Sequence, residues 1–315
     1  MRDFITFFIT HARFLLIPVI SLLTLLQSIQ AASPRVLVLA AQKAQDGSNS
    51  TSAPTAPAQV FTPNWSGLMP WDLEITEPPK VVSVDNRAYI VAGQQLYIHD
   101  GNSNITHIGQ PLLKHREFYS AAAIGEEVFI CGGWYDFWEI YLTTCEVYNT
   151  RTNSWHREVR RMKIGRGHHA AVAVKHKMYI MGGQKGNNGI STSLIIYDSK
   201  RDTWFKGAEM LYEARDHAAV AIGAHLFTCG GNKLGLCSGY NIKTNRWYEM
   251  SPMTRPRSFH EMVVWNGAPL ILGGFRDGKG PSDMVEYYDW IHNRTLLLYT
   301  QLQTPVARFG AALLT

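Results

Sequence analysis

The sequence predicts an all-β protein, a six-bladed β-propeller of four-stranded units in a single domain over residues 32–315. Three observations predict it. Gly-Gly doublets recur at Gly132-Gly133, Gly182-Gly183, Gly230-Gly231 and Gly273-Gly274, at intervals of 50, 48 and 43 residues, each closing an apolar run. A tyrosine stands seven residues before a tryptophan three times, at Tyr148 and Trp155, Tyr197 and Trp204, Tyr240 and Trp247. An arginine precedes the first glycine of each doublet by 15 or 16 residues, at Arg116, Arg166, Arg215 and Arg257, and Arg308 extends the series 51 residues further on. A period near 50 marks a repeat array, and a four-stranded sheet that cannot bury both faces alone must stack radially with its neighbours.

In chain order, residues 4–29 are mostly apolar and stand apart from the repeat. Arg2 and Arg13 precede the cleanest stretch, the 13 residues 14–26, which is shorter than the roughly 20 a spanning helix needs. Ser28, Ala31, Ala32 and Ser33 follow. A basic flank, a short apolar stretch and small residues form a secretory leader, here residues 1–31, and a secreted product is expected. An uncleaved membrane anchor, or a cytoplasmic protein with a spurious start, are the alternatives. Sequons at Asn49, Asn64, Asn104 and Asn293 fit a glycoprotein.

Unit one is degenerate. Its strands read as 81–84, 89–91, 96–99 and 105–108, with Ala92-Gly93 where the doublet belongs. Units two to four each have a small apolar strand, a strand ending at Gly-Gly, a strand with the Tyr and a strand with the Trp. Unit five has Tyr288 but Thr295 in the tryptophan's place. After it the chain holds only one more strand, at 311–315. Residues 36–43 match 179–185 with Ala40-Ala41 for Gly-Gly, and residues 60–61 and Trp65 supply two further strands. The two ends of the chain are therefore expected to share one composite blade, which removes open sheet edges. Residues 44–58 become a loop inside it.

This pattern resembles the kelch repeat, most fully in unit two with Arg116, Gly132-Gly133, Glu146-Val147-Tyr148 and Trp155. The resemblance covers most of residues 35–315 and is nearest to the kelch part of kelch-like proteins. No BTB or BACK portion is expected in this chain. In such domains, the resemblance implies, arginines at the repeated position line a pocket mouth and bind acidic peptides. The alternative is that Arg116, Arg166, Arg215, Arg257 and Arg308 bond to neighbouring loops and hold the blades together. His168, His169, His217 and His260 beside them read as structural repeat residues, or as a metal or proton-relay cluster. Trp134 and Tyr135, in the loop after the first doublet, are a binding hot spot or a blade-edge contact.

Cys131 and Cys229 precede a Gly-Gly, and Cys145 and Cys237 lie three residues before the third-strand Tyr. The end of strand two and the start of strand three are antiparallel neighbours, so Cys131–Cys145 and Cys229–Cys237 can bridge; otherwise all four are small buried thiols. The spacing is not that of a zinc site, and no metal or cofactor is expected.

Charged residues make up 17% of the chain and Lys plus Arg exceed Asp plus Glu by only 30 to 25. That excludes a disordered polyelectrolyte and carries no nucleic-acid signature. No G-x-S-x-G, P-loop or H-E-x-x-H is present. The favoured function is a monomeric protein-interaction module, touching a membrane only through the leader if that is uncleaved. The alternative is a secreted propeller enzyme acting on a sugar, mutarotase- or oxidase-like, which a buried Asp or Glu in the channel beside the arginine ring would favour.

Overall fold

The computed structural model describes residues 34–40, 59–62, 65–68, 75, 77–100, 106–135, 140–186 and 189–314. The leader, the loop 44–58 and the sequons Asn49, Asn64 and Asn104 lie outside the described residues. Within them the structure is all-β, and six four-stranded sheets form. Five are contiguous in sequence. Their first strands are Lys80–Val84, Ser120–Ile124, Ala170–Val174, Ala218–Ile222 and Glu261–Trp265. The terminal sheet joins the two ends of the fold: Phe309–Leu314 pairs antiparallel with Arg35–Ala40, which pairs with Gln59–Thr62, then Trp65–Leu68.

The first strands contact one another in the order just given, and Phe309–Leu314 touches both Glu261–Trp265 and Lys80–Val84. The fold is a β-propeller with these strands innermost. Burial follows the same logic. Val36 and Val38 pack with Leu270, Leu272 and Phe309 toward unit five, while Leu37 and Leu39 pack with Ala88, Ile90 and Leu314 toward unit one. Alternate side chains leave opposite faces of a strand. A strand buried on both faces therefore reads as the unbroken apolar run Val36-Leu37-Val38-Leu39. Elsewhere Phe129, Met178 and Tyr197 join units two and three, and Met181, Leu226 and Tyr240 join units three and four.

The Trp repeats tie each of their blades to the segment leaving the blade before, and the Tyr repeats tie down the turn within the blade. Trp155 Nε1 donates to the Gln110 carbonyl at 2.9 Å, Trp204 to Arg160 at 2.6 Å and Trp247 to Ala208 at 2.9 Å. In unit five Thr295 Oγ1 takes over this duty, donating to the Pro252 carbonyl at 2.8 Å. Tyr148, Tyr197, Tyr240 and Tyr288 each donate to the Asn or Asp five residues on: Asn153, Asp202, Asn245 and Asn293. Those four have positive φ, as short polar side chains tolerate. Asn293, read from sequence as a sequon, is thus a turn residue, and its Oδ1 also accepts from Ser251 N at 3.0 Å.

Both cysteine pairs are cross-strand partners joined as disulfides, Cys131–Cys145 and Cys229–Cys237, each with Cα atoms 4.1 Å apart. Gly132 follows the first. A Cβ there would lie 2.5 Å from the Arg166 carbonyl and 2.7 Å from His169 Cε1. Its φ is +62° as well, so the doublet serves both the turn and the close approach of the next blade.

Candidate functional site at the channel mouth

The doublets show which residues are equivalent. Gly133 N donates to the Arg166 carbonyl, Gly183 N to Ala214, Gly231 N to Arg257 and Gly274 N to Val306. Arg166, Ala214, Arg257 and Val306 therefore occupy one position, and Arg116 matches them in its bonding. This corrects the five-arginine series. Arg215 falls one residue after the position and Arg308 two after it.

Arg116, Arg166 and Arg257 are buried, at 0%, 2% and 2% exposure, and do not face solvent as a binding ring. Each bonds within its own blade. Arg116 Nη1 donates to the carbonyls of Gly132 at 2.8 Å and Thr144 at 3.1 Å, and its Nη2 pairs with Glu146 Oε1 at 2.5 Å. Arg257 Nη1 pairs with Glu286 Oε1 at 2.5 Å. Arg166 Nη1 donates to the Gly182 carbonyl at 2.9 Å and Nη2 to Ser193 Oγ at 2.9 Å. With no carboxylate among these partners, burial lowers the Arg166 pKa to about 10. A buried guanidinium needs such partners because an unpaired buried charge is costly.

Three residues further along sit Tyr119, His169, His217, His260 and Phe309, whose rings pack beneath the doublet of the preceding blade. His169 Nε2 shares a hydrogen bond with Ser120 Oγ at 2.7 Å. Burial holds the pKa of His169 and His260 well below the ordinary histidine value and that of His217 near about 4. These imidazoles are neutral at pH 7, which suits a wall rather than a proton relay. Among the described residues no group of three His, Cys, Asp or Glu is placed to hold a metal ion.

The position between arginine wall and ring wall is different. Phe118, His168, Asp216, Phe259 and Arg308 all have positive φ, from 52° to 58°. In four of them the backbone N–H donates to the carbonyl of the counterpart one blade back: His168 to Phe118 at 2.8 Å, Asp216 to His168 at 2.9 Å, Phe259 to Asp216 at 2.8 Å and Arg308 to Phe259 at 3.1 Å. This girdle circles the channel mouth. At Pro78 of unit one it cannot continue, because proline has no N–H.

Its side chains touch in series. The Arg308 guanidinium lies 4.5 Å from the Phe259 ring centroid and 5.6 Å from that of Phe118. Phe118 stacks on His168 at 3.9 Å. His168 Nδ1 meets Asp216 Oδ1 at 2.5 Å. Nearby, Lys80 Nζ and Glu261 Oε1 pair at 2.5 Å, and the innermost strand lying between theirs carries Gly310, where a Cβ would crowd Val81 N at 2.9 Å. These groups line a cavity of about 230 Å³.

The loops after the doublets rim the mouth. Trp134–Tyr135 forms a two-stranded ribbon with Ile140–Tyr141, tied to Glu117 by paired backbone bonds of 2.9 and 2.7 Å. Tyr135 is exposed and Trp134 half-buried. Phe275–Arg276 pairs likewise with Gly280–Pro281 on unit five. Arg215 is exposed, its Nη1 donating to Gln184 Oε1 at 2.9 Å. Of the arginines read from sequence, then, Arg308 and Arg215 reach the mouth. Phe118, Asp216, Phe259, Lys80 and Glu261 were not singled out, because they do not repeat. Counting two residues past a wall arginine would have found Phe118 and Phe259, but not Asp216, whose wall residue is Ala214.

Comparison with known proteins agrees with this architecture. The kelch motif model matches residues 115–159 and 165–211, the regular units two and three. The chain carries kelch repeats. Kelch-like protein 36 of Rattus norvegicus is 28% identical over 166 residues, 49% of this chain and 27% of that protein. Kelch repeat-containing protein kel-10 of Caenorhabditis elegans is 28% identical over 156 residues, covering 46% and 27%. Beta-scruin of Limulus polyphemus is 22% identical over 210 residues, covering 59% and 23%. The kelch-repeat chain thus spans about a quarter of the length of these relatives. The solved structure of YjhT superposes with a TM-score of 0.65 at 16% identity, covering 74% of this chain and 86% of that one, a likeness of fold alone.

Proposed function

We propose that this kelch-repeat protein is a protein-interaction module whose channel mouth receives an acidic peptide segment. One observation carries the reading: five side chains of four chemical types occupy one left-handed girdle position, with Arg308 held between Phe118 and Phe259. A planar, aromatic-buttressed guanidinium suits a carboxylate. Tyr135 and Phe275 on the rim would supply anchoring contact area. The test is a fluorescence-polarisation screen of peptides containing Asp or Glu against the same peptides with Asn or Gln. Binding by the acidic set that Arg308→Ala removes supports the proposal; equal binding by both sets overturns it.

The enzyme alternative keeps one specific support. Asp216, 9% exposed at its side chain, holds His168 Nδ1, the arrangement of a general base. Incubating the protein with reducing sugars and following anomer exchange by NMR decides it: exchange abolished by His168→Gln would replace the binding reading.

The terminal sheet, we further propose, is a sixth blade that closes the ring, with residues 32–315 as one monomeric domain. The two disulfides support a secreted protein with a cleaved leader at 1–31. N-terminal sequencing and a glycosidase shift of the expressed protein test this, and an unprocessed, unshifted chain refutes it.

A further inference from the structure

The propeller has a second face, opposite the mouth. It is built from the turns after the first and third strand of each blade, which pack together: Thr150 N donates to Glu126 O, Ser199 N to His176 O and Ile242 N to Ala224 O. Arg35 pairs with Leu314, the far end of the innermost strand that starts at Phe309 by the mouth. The chain therefore enters the fold on this second face, at Arg35.

The third-to-fourth-strand turns are equivalent, yet they differ. Units three and four present exposed cations, Lys200 and Arg201 in one and Lys243 in the other. Unit five presents Trp290 and Ile291 instead, 50% and 81% exposed. Unit two presents Arg151, paired with Glu126 of its first-to-second-strand turn, and unit one adds Asp85, Arg87 and Asp100 to the same face, so these two units mix charges of both signs. The cationic half of the face thus adjoins an apolar tip on the blade next to the chain's entry point.

We infer that this face, through Lys200, Arg201, Lys243, Trp290 and Ile291, rests on an anionic lipid surface. Lysine and arginine are drawn to acidic headgroups, and an exposed tryptophan with an aliphatic neighbour inserts at the polar–apolar boundary. A soluble polyanion would match the cations and leave the apolar tip without a role. The mouth then points away from the lipid.

Full-length protein is mixed with vesicles of phosphatidylcholine, with or without phosphatidylserine, and its lysines are acetylated and mapped by mass spectrometry. Phosphatidylserine vesicles should protect Lys200 and Lys243 several-fold and leave Lys233 and Lys279, on loops of the mouth side, labelled as before. Trp290→Ser with Ile291→Ser should abolish the protection. Ile291→Ser alone should weaken it, and it guards against a folding defect, since only Trp290 contacts the Phe227 ring. Equal labelling of both lysine pairs overturns the inference. So does protection that survives the double variant or that heparin reproduces, outcomes that mark a polyanion or protein-binding face instead.

Discussion

Two residues separate Arg257 from Phe259 and Arg166 from His168, and the two positions obey opposite rules. At the first, the same guanidinium recurs in units two, three and five, buried and bonded to its own blade. At the second, the backbone recurs and the side chains do not: Phe, His, Asp, Phe and Arg share one left-handed conformation and one girdle of hydrogen bonds. Repetition at the first position is explained by what every blade needs. Variation at the second is tolerated because backbone bonds alone maintain the girdle. In a repeat fold the recurring residue marks the wall, and the residue free to vary on a recurring backbone marks the site.

The largest effect should fall on the wall. Arg257→Met leaves Glu286, buried at 0% exposure, without its cationic partner and with only the Thr254 N–H and hydroxyl as donors, and removing one member of a buried pair costs about 3–5 kcal/mol. Chemical denaturation should show that loss. Arg257→Met with Glu286→Leu should recover most of it, since an apolar replacement of both partners is close to neutral. If the single variant costs no more than a surface substitution, the wall assignment fails.

The ring wall makes the next prediction through pH. His169, His217 and His260 have folded-state pKa values depressed by burial, that of His217 to about 4, while an unfolded histidine titrates near about 6.5. The unfolded chain therefore binds more protons in this window. Stability is full above about pH 6.5 and falls as the pH drops toward 4, by about 1.4 kcal/mol per pH unit for each histidine. His217→Phe, the residue type that Phe309 places at the equivalent position, should flatten that slope by one histidine's share. Denaturant melts at pH 7, 6 and 5 measure it. An unchanged slope would mean that His217 is not the neutral wall residue described.

The sequence makes the wall legible and hides the site, for one physical reason. Gly-Gly, Tyr and Trp serve turns, latches and close packing in the regular blades, so they recur and can be counted. The pairing of the chain's ends was legible from Val36–Leu39, whose unbroken apolar run reflects burial on two faces. The arginines misled because Arg215 and Arg308 preserve the rough period while shifting by one and two residues. An offset of 15 rather than 16 from Arg215 to Gly230 was the trace of that shift. Asp216, Phe118 and Phe259 carry no periodic signal. Their meaning comes from neighbours on other blades, which only the folded propeller brings together.

The smallest effect on stability should come from the mouth, and it separates the two positions most sharply. Arg308→Ala removes a guanidinium that lies against two rings. Such a contact is worth about 0.5–1 kcal/mol at a solvent-accessible site. The Arg308 N–H keeps its bond to the Phe259 carbonyl whatever the side chain, although alanine tolerates positive φ no better than arginine does. The variant should therefore melt within a few degrees of the parent. Its affinity for an acidic peptide should nonetheless fall by about 2 kcal/mol or more, as truncation of a central binding arginine does. Arg257→Met predicts the reverse pattern: stability lost, and binding by the fraction still folded retained. A variant of Arg308 that loses several kcal/mol of stability would place it with the wall, and the distinction between the two positions would collapse.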